Sequence, residues 1–258
     1  MAKIATIALN TFRESVRDRV LYNLVLFVLL LIIASIAMGR IAVGQEAKIV
    51  LDVGLSAMTI FGVLISIFLG IGLVSKEIEK RTLANILSKP VRRSTFILGK
   101  YFGLCLTLLV NATVMAMAIT VALLYASRGY DASQLRLWPA AYLILLELAI
   151  LTAVALLFSC FSTPALSALF TLLIFLIGRW SPDLKLFAET SNSPLTRWVS
   201  RALYSLLPNL ANFNFISETS HGQMVPVNLI AGNTIYALSY IVALVAASVV
   251  IFERRNFK

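Results

Sequence analysis

The run from Leu137 to Gly178 holds 42 residues and a single charged side chain, Glu147. No other feature of the chain limits its fold so tightly. One straight helix of that length would reach about 63 Å at 1.5 Å per residue, roughly twice the hydrocarbon core of a bilayer. The run must therefore fold back on itself. "CFSTPAL" supplies the break at Ser162, Thr163 and Pro164, because proline removes a helical donor and restricts the residue before it.

Four further apolar runs accompany it: Val20 to Met38, Val53 to Ser75, Tyr101 to Ala126, and Val227 to Phe252. Each is long enough to cross a membrane as a helix. Dividing the long run gives six expected spans, at about 20–38, 53–75, 101–126, 139–161, 164–180 and 227–252. The fold class that follows is an all-α membrane protein, a single transmembrane domain over 1–258 without repeats or low-complexity linkers. Composition agrees: 60% of residues are hydrophobic and 13% charged, where a soluble domain carries about 25% charge. The net charge of +10 could suggest nucleic acid. The Lys and Arg instead flank apolar spans, where orientation in the membrane accounts for them, and no nucleic-acid partner is expected.

Cys105 and Cys160 lie in or beside apolar runs, and the one histidine, His221, stands alone. Nothing here has the spacing of a metal site, and the cysteines read as small packed hydrophobes. Met115 and Met117 are too few for a copper relay. The opening "MAKIATIALNTFRESVRDRV" is charged up to Arg19 and has no small-residue cleavage site, so a removable signal peptide is not expected.

Six spans place both termini on one side. That side would hold Lys3, Arg13, Arg17, Arg19, Lys76, Lys80, Arg81, Lys89, Arg92, Arg93, Lys100, Arg254, Arg255 and Lys258, fourteen cations. The other would hold eight: Arg40, Lys48, Arg128, Arg136, Arg179, Lys185, Arg197 and Arg201. The excess predicts cytoplasmic termini in the inner (cytoplasmic) membrane.

Two segments outside the spans have helical amphipathicity. Ile4, Ile7, Ala8, Phe12 and Val16 share one face before the first span, which reads as an interfacial entry helix. In the outer segment Trp180 to Pro226, "LTRWVSRALYSLLPNL" aligns Leu195, Trp198, Val199, Ala202, Leu203, Leu206 and Leu207, with a break near Pro208. It reads either as a helix in the outer leaflet or as a small extramembrane cap.

Within the spans, Gly62, Ser66 and Gly70 repeat every fourth residue and leave a groove for close helix packing, inside the subunit or across a dimer. Glu147 is the only acid well inside a span, at a cost of roughly 2.5–3.5 kcal/mol on insertion scales. It could face a translocation path, a dimer contact or another helix, or reach the outer interface.

The most unusual stretch is "SKEIEKRTLANILSKPVRRSTFILGK", Ser75 to Lys100, dense with charge between two apolar runs. Ser75 ahead of Glu77 and Ile78 predicts a helix start. Ile78, Leu83, Ile86 and Leu87 would then face the membrane side, with Pro90 ending the helix. Its order of Glu77, Glu79, Thr82, Leu83, Ile86, Leu87, Pro90, Arg93, Gly99 and Lys100 resembles the loop between spans two and three in permease subunits of type-2 ABC transporters, an ABC exporter family. Arg81 stands where glycine is usual in that family. The entry helix, six spans, the turn at Thr163-Pro164 and the outer segment before the last span resemble the family too.

The resemblance implies a fold with a cytoplasmic coupling helix and outer re-entrant helices before the last span. It implies that Glu77, Glu79, Arg81, Thr82, Leu83, Ile86, Leu87, Pro90, Arg92 and Arg93 form the coupling interface with a separate ABC ATPase. The alternative for that stretch is a solvated, headgroup-facing loop. The partners implied are ABC ATPase subunits, a second copy of the permease or a related one, and membrane lipids. The chain itself carries no G-x-x-x-x-G-K-[ST]: "FLGIGLVSK" and "FILGKYF" have the wrong spacing. No catalytic residue and no cofactor are expected in this chain; ATP and Mg would be bound by the partner. The expected function is export of an amphipathic or lipid-like substrate or drug. A non-transporting membrane anchor or signalling partner is the alternative, and an ion-coupled carrier would need ionisable groups that the spans lack.

Overall fold

The computed structural model describes residues 2–16, 26–27, 30–31, 33, 45–79, 93–127, 129, 132–190 and 193–254. The expected first span, about 20–38, lies mostly outside the described residues, and the loop 80–92 lies wholly outside them. Among the described residues all regular structure is helical. The order is α1 (Ala2–Ser15), α2 (Glu46–Glu79), α3 (Arg93–Ala126), α4 (Ala132–Ser159), α5 (Pro164–Arg179), α6 (Ser181–Thr190) and α7 (Pro194–Leu206). A 3-10 turn (Leu210–Phe213), α8 (Ile216–Ser220) and α9 (Val227–Arg254) complete it.

Four of these are long and apolar enough to cross a bilayer: α2 over Glu46–Gly70, α3, α4 and α9. A fifth candidate is bent. The long run is divided at Cys160–Thr163, and α5 starts with Pro164 in its first turn behind the extended Thr163. But α5 has only 16 residues, about 24 Å of helix, and cannot span alone. It turns by 64° into α6. Pro182 explains the turn, since its ring would clash with the carbonyl four residues back if α5 continued. The expected span over 164–180 thus corresponds to a bent helix pair, a broken span or a re-entrant loop. Among the described residues four helices are long and apolar enough to cross, and five if the bent pair is one span.

The remaining boundaries differ at the ends. Ser75 lies inside α2, which runs unbroken to Glu79, and no helix starts there. The stretch after Gly72 has no glycine or proline to stop propagation. Both α2 and α3 have 34 residues, about 51 Å each, so both extend beyond a hydrocarbon core of about 30 Å.

Packing fixes the directions. Gly62 and Gly70 of α2 meet Leu148 and Ala155 of α4, so these helices run parallel, while Gly54 meets Ile119 of the antiparallel α3. The main core joins α2, α3 and α4 through Leu51, Leu55, Met58, Leu108, Met115, Ile144, Leu148 and Leu151. A second cluster lies at one end of the bundle, where Phe96, Ile97, Tyr101 and Leu104 of α3 meet Ala153 and Leu156 of α4 and Val245 and Phe252 of α9. We refer to this as the Arg93 end and to its opposite as the Trp180 end. All three tryptophans lie towards the latter: Trp138 in the first turns of α4, Trp180 after α5, and Trp198 in α7, each exposed.

Helix α1 packs on the first turns of α3. A Cβ on Gly99 would lie 2.7 Å from Ile7, and one on Gly103 would lie 2.6 Å from the Ala8 carbonyl oxygen and from Thr11. The face expected to contact membrane is thus partly given to protein, leaving Leu9 exposed. Gly103→Leu is expected to cost about 1–3 kcal/mol by overpacking. Hydrogen exchange should show α1 losing protection while α4 keeps it.

Candidate functional site

Three places carry the residues singled out from sequence. The first is the Arg93 end. Arg81, Thr82, Leu83, Ile86, Leu87, Pro90 and Arg92 lie outside the described residues, and of Glu77 and Glu79 only the helical backbone is described. Arg93 opens α3, and its Nη1 donates to the carbonyl oxygens of Phe252, at 3.3 Å, and Glu253, at 3.0 Å. Those carbonyls belong to the last turn of α9, where helical acceptors lack intrahelical donors and a cation is favoured. One turn along α3, the Phe96 ring stacks on Phe252 with centroids 5.9 Å apart. The Lys100 ammonium lies 5.5 Å from the Phe96 centroid and 3.9 Å from Glu14 of α1. The start of α3 is thus held by α1 on one face and by the end of α9 on another.

The second place is the interior of α4. Glu147 is fully buried, at 0% exposure, and both its oxygens accept from Nη1 of Arg179, at 3.0 and 3.1 Å. Hairpin geometry brings the two together. Glu147 is 12 residues before the end of α4 and Arg179 is 15 residues after the start of α5, or about 18 and 22 Å from the turn. A long side chain leaning towards its helix N-terminus closes the difference. In the sequence Arg179 reads only as a cation of the outer side. The signal that could have found the pair was the near-equal spacing of two charges about one proline turn.

The third place is the small-residue groove. Besides the contacts of Gly62 and Gly70, the Ser66 hydroxyl donates to the Leu148 carbonyl across the interface at 3.4 Å. The groove packs on α4 within this chain. Several other hydroxyls of the spans are satisfied along their own helix: Thr107, Thr113 and Thr120 each donate to the carbonyl four residues back. Such bonds hide hydroxyls from lipid without marking a path.

Above these places, the chain from Leu207 to Asn214 enters the Trp180 end of the bundle, with Leu210 and Phe213 fully buried. Tyr236 of α9 accepts from the Asn209 N–H at 2.8 Å, and Asn233 donates to the Asn212 carbonyl at 2.6 Å. Gly178 admits the segment, since a Cβ there would lie 2.7 Å from the Pro208 oxygen. The amphipathic segment is helical over Pro194–Leu206, with Leu195, Trp198 and Leu206 exposed. An open cleft of about 510 Å³, lined mainly by Trp180, Leu184, Leu186 and Phe187, lies on α6.

These observations describe an apolar helical bundle with a buried ion pair, a docked segment at the Trp180 end and a gripped helix end beside the charged loop. Apart from the first three residues of α1, the arrangement to the end of α9 falls within residues 5–257, over which the sequence matches the family described as ABC-2 family transporter protein. The chain belongs to the ABC-2 transporter family. It is a membrane protein of the permease type, and the resemblance carried by Glu77 to Lys100 is to the family that the match shows. No curated protein matches it. Members of this family would ordinarily pair with ABC ATPase subunits.

Proposed function

We propose that this ABC-2 family chain is the permease subunit of an ATP-driven exporter. The observation that carries the reading is the family match across residues 5–257. Two copies, or one copy and a relative, form the membrane pathway with six spans each, and both termini lie in the cytoplasm of the inner membrane. A separate ATPase binds ATP and Mg and docks on the loop running from Glu77 through Pro90. Leu83, Ile86 and Leu87 bury against it, and Glu79, Arg81 and Arg92 supply charges. Exposed ion pairs are worth only about 0–1 kcal/mol each, so the leucines dominate.

The spans are poor in charged residues by sequence, which supports an amphipathic or lipid-like substrate or a drug. The segment Leu207–Asn214 and the helices before it form the outer boundary of the pathway.

The test is reconstitution with a candidate ABC ATPase. Leu83→Asp and Leu87→Asp are each expected to weaken docking by about 2 kcal/mol, the transfer energy of a buried leucine. Co-purification of the ATPase and permease-dependent ATP turnover should fall together. Unchanged assembly and turnover would reduce the stretch to a solvated loop and favour a membrane anchor.

A further inference from the structure

The charged loop ends at Arg92, and the next residue is bonded to the far end of the chain. Arg93 donates to the carbonyls of Phe252 and Glu253, and Phe96 stacks on Phe252. Around them Ile97, Tyr101, Leu104, Leu156 and Val245 close a second core cluster, which touches α2 at Leu69. On its other face α3 is in backbone contact with α1 at Gly103. A push delivered to the loop therefore enters a helix already joined to α9 and α1. Close packing of this kind transmits displacement, because dense interiors yield little.

We infer that Arg93 is the joint through which movement of the charged loop reaches α9, and that α1, α3 and α9 respond as one block. This rests on the permease reading above. The resemblance sets Arg93 among the docking residues, but its Nη1 is turned to the carbonyls of Phe252 and Glu253, which makes it a positioning residue. Its bond to two backbone carbonyls of the last turn ties the loop to α9 whatever side chains α9 carries. The other end of α9 carries the tyrosine and asparagine that hold Leu207–Asn214, so the same helix connects the loop with the Trp180 end.

The experiment labels that other end. Val227 begins α9 and is 80% exposed, so Val227→Cys is introduced and its reaction with a membrane-impermeant maleimide is followed in proteoliposomes. The full permease is reconstituted with the ABC ATPase that co-purifies with it, without nucleotide and with ATP plus vanadate. Background from Cys105 and Cys160 is measured in protein lacking Val227→Cys. The expected result is a nucleotide-dependent change in labelling rate that Arg93→Ala diminishes about fivefold or more, the span of an ordinary coupling energy. Arg93→Lys, which keeps a donor, should retain most of it, and the ATPase should co-purify with both variants.

An unchanged response in Arg93→Ala overturns the inference, as does equal loss in Arg93→Lys. Loss of the ATPase from Arg93→Ala also overturns it, by placing Arg93 in the docking surface. If the permease with native Arg93 binds an ATPase yet shows no response at position 227, the joint fails and the permease reading stands. If no ABC ATPase co-purifies at all, both fail.

Discussion

Arg179→Ala is expected to destabilise the protein by about 3–5 kcal/mol, the usual consequence of leaving one member of a buried ion pair alone. Glu147 has no exposed surface and both its oxygens rely on the Arg179 guanidinium. Removing the acid should cost less. Arg179 is already 21% exposed at the end of α5, so in Glu147→Ala its head can swing towards the headgroups, for a cost of about 1–2 kcal/mol. Replacing both, as Glu147→Leu with Arg179→Leu, should recover most of the loss, because well-packed apolar groups replace such pairs without penalty. Detergent-titrated unfolding followed by helical circular dichroism gives the three values. Strict additivity of the single changes would contradict the pairing.

The second large effect concerns the groove of α2. The same added methyl has different consequences at two of its positions. A Cβ on Gly70 would lie 2.3 Å from the Ala155 Cβ, which has no rotamer to yield. A Cβ on Gly62 would lie 2.4 Å from a δ-carbon of Leu148, the far end of a flexible side chain. Alanine in place of glycine also gains about 1 kcal/mol of helix propensity. Gly62→Ala should therefore be close to neutral. Gly70→Ala must push α2 and α4 apart, and Gly70→Leu is expected to cost about 3 kcal/mol, at the upper end for overpacking. The same unfolding measurement tests the order, and equal costs at the two glycines would refute the packing described.

The all-helical class and the positions of most long helices were legible because apolar length is a local property. So was the division of the 42-residue run at Ser162–Pro164, where one proline decides. The 64° turn between α5 and α6 was signalled by Pro182, but two prolines of similar local meaning bound a helix of only 16 residues. Whether such a piece spans depends on the next helix, not on its own composition. The partner of Glu147 required knowing that α4 and α5 are antiparallel neighbours, a tertiary fact that hydropathy does not encode. The packing of α1 on α3 is a further case: Gly99 and Gly103 are a small-residue pair within the charged-to-apolar transition, and only the tertiary approach of Ile7, Ala8 and Thr11 gives them their role. Ser75 failed as a helix start for a simple reason. A capping residue acts only where the helix before it stops, and nothing in "LVSKEIE" stops α2.

The distribution of indoles makes the protein optically one-sided. Trp138, Trp180 and Trp198 all belong to the end opposite Arg93, and no other residue type dominates near-ultraviolet emission. The tryptophan emission of this chain therefore reports on the Trp180 end, and events confined to the Arg93 end leave it unchanged. On the permease reading proposed above, a nucleotide-dependent change in the emission of these three indoles, in a complex whose ATPase carries no tryptophan, would mean that a signal had crossed the thickness of the membrane.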